Sequence, residues 1–149
     1  MSENQMVAAD VTAGQAGAGR RAAMTVFHWA LAAFLLLGAV QIFLAGLGIF
    51  SVFQGTHHAF DAHKTVGFVM GGVAVVILVA ALAARAGRAA IIGSAILVVQ
   101  TDLMQSLLAG LAGQHALYGG LHAFDGLAIL GVAAWLWARS RPHAAQRPR

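Results

Sequence analysis

VGFVMGGVAVVILVAALAA, at residues 66–84, contains no charged side chain. An α-helix needs roughly 20 mostly apolar residues to cross the hydrocarbon core of a bilayer. The stretch lies within an apolar segment at 59–84, and three similar segments occupy 24–53, 89–113 and 118–138. Short breaks rich in Gly, Gln and Arg separate them, which favours antiparallel neighbours. The sequence therefore predicts an all-α membrane protein, an antiparallel four-helix transmembrane bundle.

The composition of the 149 residues supports a lipid environment. Apolar residues make up 60% of the chain and charged residues 9%, whereas a soluble domain is nearer one half and one quarter. The nine Lys and Arg residues do not form the stripe that nucleic acid would require, so we expect a lipid partner and no nucleic acid. The absence of cysteine excludes disulfides, thiolate metal sites and covalently attached haem.

The basic residues predict the orientation. Eight of the nine fall before helix 1, between helices 2 and 3, or after helix 4: Arg20, Arg21, Arg85, Arg88, Arg139, Arg141, Arg147 and Arg149. Basic residues stay on the cytoplasmic side. We therefore expect a flexible cytoplasmic tail at 1–22, a four-helix domain at 23–139 and a basic cytoplasmic tail at 140–149. The expected location is the cytoplasmic (inner) membrane, with Lys64 on the outer side beside Asp61.

An internal repeat accounts for part of the sequence. A shift of 64 residues aligns QIFLAGL, at 41–47, with QSLLAGL, at 105–111, and aligns HAFD at 58–61 with HAFD at 122–125. Between 41 and 67 the shift gives 11 identities in 27 positions. The repeat predicts two tandem helical hairpins related by a twofold axis along the membrane normal.

The repeat places His58 and His122 at equivalent positions near the outer ends of helices 2 and 4. Two imidazoles on facing helices can supply the axial ligands of a haem iron. Alternatively, a His and an Asp in the first turn of a helix cap it and complement its dipole. His63 competes with His58 as a metal ligand, because it lies five residues further along the same segment.

The same residues resemble the four-helix half-module of the haem A synthases, and the resemblance spans 24–138. Gln105 to Gly110 resembles the Gln-x-x-Leu-Gly motif of the third helix, and His122 to Gly126 resembles the His-x-x-Asn-Gly motif of related small four-helix membrane proteins. Gly55 and Gly119 stand where the family has Glu, three residues before each histidine. The resemblance implies one haem b between the second and fourth helices, rather than haem A synthesis.

Other polar residues lie within the predicted spans. Gln41 and Gln105 are close to the midplane, where they either join helices or hold a propionate or a quinone carbonyl. Asp61 and Asp125 follow their histidines by three residues. They either accept a hydrogen bond that orients an imidazole or a neighbour's N–H, or cap a helix. Asp102 is an intramembrane carboxylate and thus a candidate for handling protons.

Three functional hypotheses follow. The leading one is a b-type cytochrome-like protein that exchanges electrons with a quinone or a partner protein. The second is a non-catalytic subunit of a larger respiratory or other membrane complex. The third is a transition-metal protein, because His57, His58, His63, His115 and His122 all map to the outer half with Asp61 and Asp125.

Overall fold

The computed structural model describes residues 3–55 and 58–141 and is almost entirely helical. Its four long helices are α1 (Glu3–Phe53), α2 (Asp61–Ala83), α3 (Arg88–Ala112) and α4 (Ala116–Arg139). Each contains a stretch long and apolar enough to cross a membrane. This confirms the prediction of four membrane-spanning helices, and every predicted boundary except the start of α1 lies within two residues of the observed one.

Helix α1 begins much earlier than the first apolar segment. The sequence predicts a flexible tail at 1–22, but helical structure begins at Glu3 and continues without a break. Alanine has the highest helix propensity, and adding residues to an existing helix avoids the cost of nucleation. These residues therefore extend a helix whose apolar part is already formed. The C-terminal tail lies outside the described residues from position 142 onward.

Two connections contain residues with positive φ. In the α1–α2 connection, Gly55 has φ 72° and His58 has φ 67°; in the α2–α3 connection, Arg85 has φ 50° and Gly87 has φ 88°. Left-handed backbone is costly for residues other than glycine. Thr56 and His57 lie outside the described residues.

Helix α3 changes its hydrogen-bonding pattern in the middle. It is α-helical at Arg88–Val98, π-helical at Val99–Met104 and α-helical again at Gln105–Ala112. A π-helix bonds residue i to residue i+5, and such segments are often found at functional sites. Gln100, Thr101 and Asp102 all belong to this segment.

The helices form a bundle in which each packs on two others. Helices α1 and α3 each contact both α2 and α4, whereas α2 and α4 lie across the bundle from each other. We call the end that carries the α1–α2 and α3–α4 connections the histidine end. The opposite end, which carries Trp29, Trp135 and Trp137, is the tryptophan end.

Most of the hydrophobic core lies in the half of the bundle nearer the tryptophan end, and it extends to Met70 near the middle of α2. Among the described residues, the buried large apolar side chains are Phe27, Leu31, Phe34, Met70, Ile77, Leu97, Ile129 and Leu136. None of them comes from the parts of the helices that form the histidine end. The polar side chains of the histidine end therefore lie next to this packed apolar core.

Candidate functional site

Two partly buried histidines face each other at the histidine end. His63 is in the first turn of α2 and His122 is in the second turn of α4. Their ring centroids are 6.1 Å apart, with an angle of 60° between the ring planes. Helices α2 and α4 lie diagonally across the bundle, so the pair spans its interior.

Each histidine is held by the backbone of a neighbouring helix. The Nδ1 atom of His63 is 3.2 Å from the carbonyl oxygen of Gln41, and the Nδ1 atom of His122 is 3.2 Å from the carbonyl oxygen of Gln105. A carbonyl oxygen only accepts hydrogen bonds, so each Nδ1 carries the proton. In a neutral imidazole, Nε2 then keeps a lone pair that is available to a metal.

The surroundings of His63 and His122 also resemble each other, because each histidine is followed by a glycine that packs beside a glutamine. Gly67 follows His63 by four residues, as Gly126 follows His122, and corresponding members of the two pairs are 59 residues apart. A Cβ atom on Gly67 would lie 3.2 Å from Nε2 of Gln41, and one on Gly126 would lie 3.8 Å from Nε2 of Gln105. In both halves, a helix with the pattern His-x-x-x-Gly packs beside a glutamine.

The structure does not place His58 opposite His122. Its side chain is 82% exposed, and its Nδ1 atom is 2.8 Å from Oδ2 of Asp61. The physical reason is that α2 begins only at Asp61, so His58 belongs to the connection rather than to the helix. Asp61 also pairs with Lys64, at 3.6 Å. Of the two ligands considered on this side, His63 is the one that faces the interior.

Phe60 packs against the ring of His63. The two rings meet edge to face with centroids 6.1 Å apart. Phe60 also packs on α1 at Gly48, where an added Cβ would lie 2.5 Å from its ring. The absence of a side chain at Gly48 therefore lets Phe60 sit beside the histidine.

On the His122 side, an intramembrane carboxylate joins α3 to α4. Asp125 accepts a hydrogen bond from Nε2 of Gln100 at 2.6 Å on Oδ1 and one from Nε2 of Gln105 at 2.9 Å on Oδ2. Gln105 also donates to the carbonyl oxygen of His122 at 2.9 Å. Of the roles expected for Asp125, the carboxylate is seen accepting N–H groups of neighbouring residues, here the amides of Gln100 and Gln105.

Three further polar groups lie near this layer. The amide oxygen of Gln41 and the hydroxyl of Thr101 are buried without a hydrogen-bond partner among the described residues. Asp102 packs against α2 at Gly71, where a Cβ atom would overlap its carboxylate. Gln41 and Gln105 do not bond to each other, because α1 and α3 are diagonal in the bundle.

Two further histidines of the described part of the chain lie away from this pair. His115 caps α4 by accepting the backbone N–H of Leu117 at 3.1 Å. At the tryptophan end, Nδ1 of His28 is 2.8 Å from the hydroxyl of Ser140, and its ring stacks on Trp137. Within residues 3–55 and 58–141, no group of three or more metal-ligating side chains is found. The described residues therefore do not form the outer metal cluster that the sequence also allowed.

No protein family, no curated protein and no solved structure matches the chain significantly. The geometry of the histidine end is thus the main guide to what the protein does.

Sequence reasoning identified Gln41, Gln105, His122 and Asp125, and it considered His63 as an alternative. It did not identify Gln100, which has no counterpart in the repeat. The sequence feature that could have identified Gln100 is its separation of five residues from Gln105. That spacing places two side chains on one face only if the intervening helix is π-helical.

Proposed function

We propose that this protein is a b-type cytochrome-like membrane protein that holds one haem b between His63 and His122 and exchanges electrons with a quinone or a partner protein. The observation that carries the proposal is the facing pair of partly buried imidazoles, each with its Nδ1 proton donated to a backbone carbonyl. The sequence resemblance to the haem A synthase half-module implies the same cofactor between the second and fourth helices.

The spacing of the two rings fits a shared metal. Metal–nitrogen bonds of about 2 Å put each imidazole centroid about 3 Å from the metal, so two rings on one ion are about 6 Å apart. The observed centroid separation is 6.1 Å. The donor chemistry also fits, since neutral imidazole nitrogen is a common axial ligand of haem iron.

Two glycines and a polar amide lie around the pair. Neighbouring side chains occupy the space at both glycines, because Phe60 packs at Gly48 on α1 and the amide of Gln41 packs at Gly67 on α2. Small residues at such positions also serve close helix packing. Here they coincide with the two histidines and with an unpaired amide oxygen on Gln41.

Each residue of the site has a defined task in this proposal. A bound haem supplies a one-electron couple. The carbonyls of Gln41 and Gln105 fix the tautomer and the orientation of the two imidazoles, as hydrogen bonds to the second ring nitrogen do in metal sites. Gln105 also ties the backbone of His122 to Asp125.

The finer architecture belongs to the same proposal. The four helices cross the cytoplasmic membrane as two antiparallel hairpins that arose by duplication, with the histidine end outward and both termini cytoplasmic. The matching His-x-x-x-Gly patterns on α2 and α4 support a duplication. In that arrangement the site lies near the outer face, where a quinone, or a partner in a larger respiratory complex, can approach it.

Absorption spectroscopy tests the proposal. Protein purified from haem-replete cells should show the absorption bands of a low-spin haem. His63→Ala and His122→Ala should each abolish these bands, because each removes one of the two ligands. His58→Ala is the matched control and should leave them intact, since that side chain is exposed and bonded to Asp61.

Two results would count against this assignment. If His58→Ala bleaches the protein and His63→Ala does not, the repeat-based pair of His58 and His122 holds the haem. If the wild-type protein is colourless, haem binding itself is wrong and a non-catalytic subunit becomes the better explanation. Size-exclusion chromatography of each variant in detergent distinguishes a lost ligand from a lost fold.

A further inference from the structure

Asp125 is a carboxylate inside the membrane-spanning part of α4 with no cationic partner in the part of the chain that the structure describes. Its only side-chain partners there are the two amides, and both of its oxygens accept hydrogen bonds. The two ion pairs in the described residues both involve Asp61 instead.

Both carboxylate oxygens of Asp125 act as hydrogen-bond acceptors in this arrangement. An ionised carboxylate accepts at both oxygens, and hydrogen bonds to a charged acceptor are the stronger kind. An unpaired charge in a low-dielectric interior is nevertheless costly unless an opposite charge lies nearby. The ligand His122 is three residues away on the same helix, so the nearest place for that opposite charge is the metal it would bind.

We propose that Asp125 is a positioning and electrostatic residue that stabilises the oxidised, more positively charged state of the cofactor and so lowers its reduction potential. The inference rests on the proposed function. Oxidation adds one positive charge at the metal, and a fixed negative charge nearby favours that state. At an effective dielectric constant of about 20, unit charges about 10 Å apart interact strongly enough to change an equilibrium on the order of tenfold.

The charge is present on one side of the site only. The residue 59 positions before Asp125, which occupies the corresponding place after His63, is Val66. The amide nitrogen of Gln105 makes two hydrogen bonds, to His122 and to Asp125, whereas the amide oxygen of Gln41 has no partner among the described residues. The two histidines therefore have similar backbone hydrogen bonds but different electrostatic surroundings.

The test is a redox titration of the purified haem-loaded protein, followed by its absorption bands. Asp125→Asn removes the charge and keeps the shape, so it should raise the midpoint potential. At a fixed ambient potential, the ratio of oxidised to reduced protein should fall about tenfold, which corresponds to 59 mV for a one-electron couple. Asp125→Glu should bring the midpoint potential most of the way back to the wild-type value, because it restores the charge.

Asp61→Asn is the matched control. Asp61 is an exposed carboxylate that pairs with His58 and Lys64 outside the site, so its loss should leave the midpoint potential unchanged. An unchanged potential in Asp125→Asn, or an equal shift in Asp61→Asn, would overturn the inference. Loss of the low-spin bands in both Asp125→Asn and Asp125→Glu would also overturn it, because the residue would then be required for ligation itself. A colourless wild-type protein would instead contradict the proposed function, and the two failures are thus distinguishable.

Discussion

At the scale of single residues, two adjacent glycines of α2 have different surroundings. A Cβ atom on Gly71 would overlap the carboxylate of Asp102 on α3, whereas one on Gly72 would meet nothing within 4 Å. Gly71→Ala should therefore push α2 and α3 apart or displace Asp102. We expect a loss of about 1–3 kcal/mol in the free energy of unfolding, the usual cost of overpacking.

Gly72→Ala is the control for this prediction. It adds the same methyl group one residue along, and alanine is a better helix former than glycine by about 1 kcal/mol. The variant should be as stable as the wild type or slightly more stable. Thermal unfolding in detergent measures both proteins, and equal stability of the two variants would contradict the contact between Gly71 and Asp102.

The two facing histidines show where residue-level prediction ends. The offset of 64 relates Gln41 to Gln105, and the backbone carbonyls of these two residues contact His63 and His122. The same offset pairs His58 with His122, whereas the histidine that faces His122 is His63. The cause is a difference of five residues, because the Gln-to-His separation is 22 in the first half and 17 in the second. Counting identities does not reveal this difference, because the motif HAFD occurs at both 58–61 and 122–125. Its match aligns His122 with His58 rather than with His63.

At the scale of elements, hydropathy predicts the spans because burial in lipid depends on length and apolarity alone. It does not predict the π-helical segment of α3, because apolarity and length carry no information about a change to i→i+5 hydrogen bonding at Val99–Met104. Positions five residues apart are about 140° apart around an α-helix. In a π-helix they are one turn apart on the same face, which lets Gln100 and Gln105 both reach Asp125.

This geometry predicts that the two amides are energetically coupled. Gln100→Leu or Gln105→Leu alone leaves Asp125 with one amide donor, whereas the double variant leaves it with none. The second substitution should therefore cost more than the first, with a coupling energy of about 0.5–3 kcal/mol in a double-mutant cycle. Chemical or thermal unfolding in detergent provides the four free energies.

A second cycle serves as the control. Gln41 lies on α1, does not bond to Asp125 and has an unpaired amide oxygen in the described structure. Gln41→Leu combined with Gln100→Leu should be additive within experimental error. Additivity in both cycles would mean that Gln100 and Gln105 do not share the carboxylate.

At the scale of the whole molecule, the two ends of the bundle differ in chemistry. The tryptophan end has the packed core, and there Arg139 lies 4.5 Å from the ring centroid of Trp135 and Arg141 lies 5.1 Å from that of Trp137. The histidine end has the polar layer and the single lysine, Lys64. This asymmetry connects the orientation of the chain to the position of the proposed haem.

The orientation follows from the basic residues and is open to direct measurement. Basic residues near the ends of transmembrane helices remain cytoplasmic, and here the loop between α2 and α3 carries Arg85 and Arg88. The chain contains no cysteine, so single cysteines can be introduced without a background signal. Gln54→Cys and His115→Cys at the histidine end should react with a membrane-impermeant thiol reagent in intact cells. Ala89→Cys, an exposed position at the opposite end, should react only after permeabilisation.

Each outcome of the labelling experiment has a distinct consequence. The reverse pattern would place the histidine end in the cytoplasm, and electron exchange would then have to occur on the inner face. Labelling of all three positions in intact cells would contradict a membrane-spanning bundle, because a lipid barrier must separate the two ends. Labelling of only Gln54→Cys and His115→Cys places the facing histidines near the outer surface, since His63 is in the first turn of α2 and His122 is in the second turn of α4. A reductant that does not cross the membrane should then reduce the haem in intact cells, and Ala89→Cys in the same cells, still unlabelled, verifies that the membrane stayed sealed.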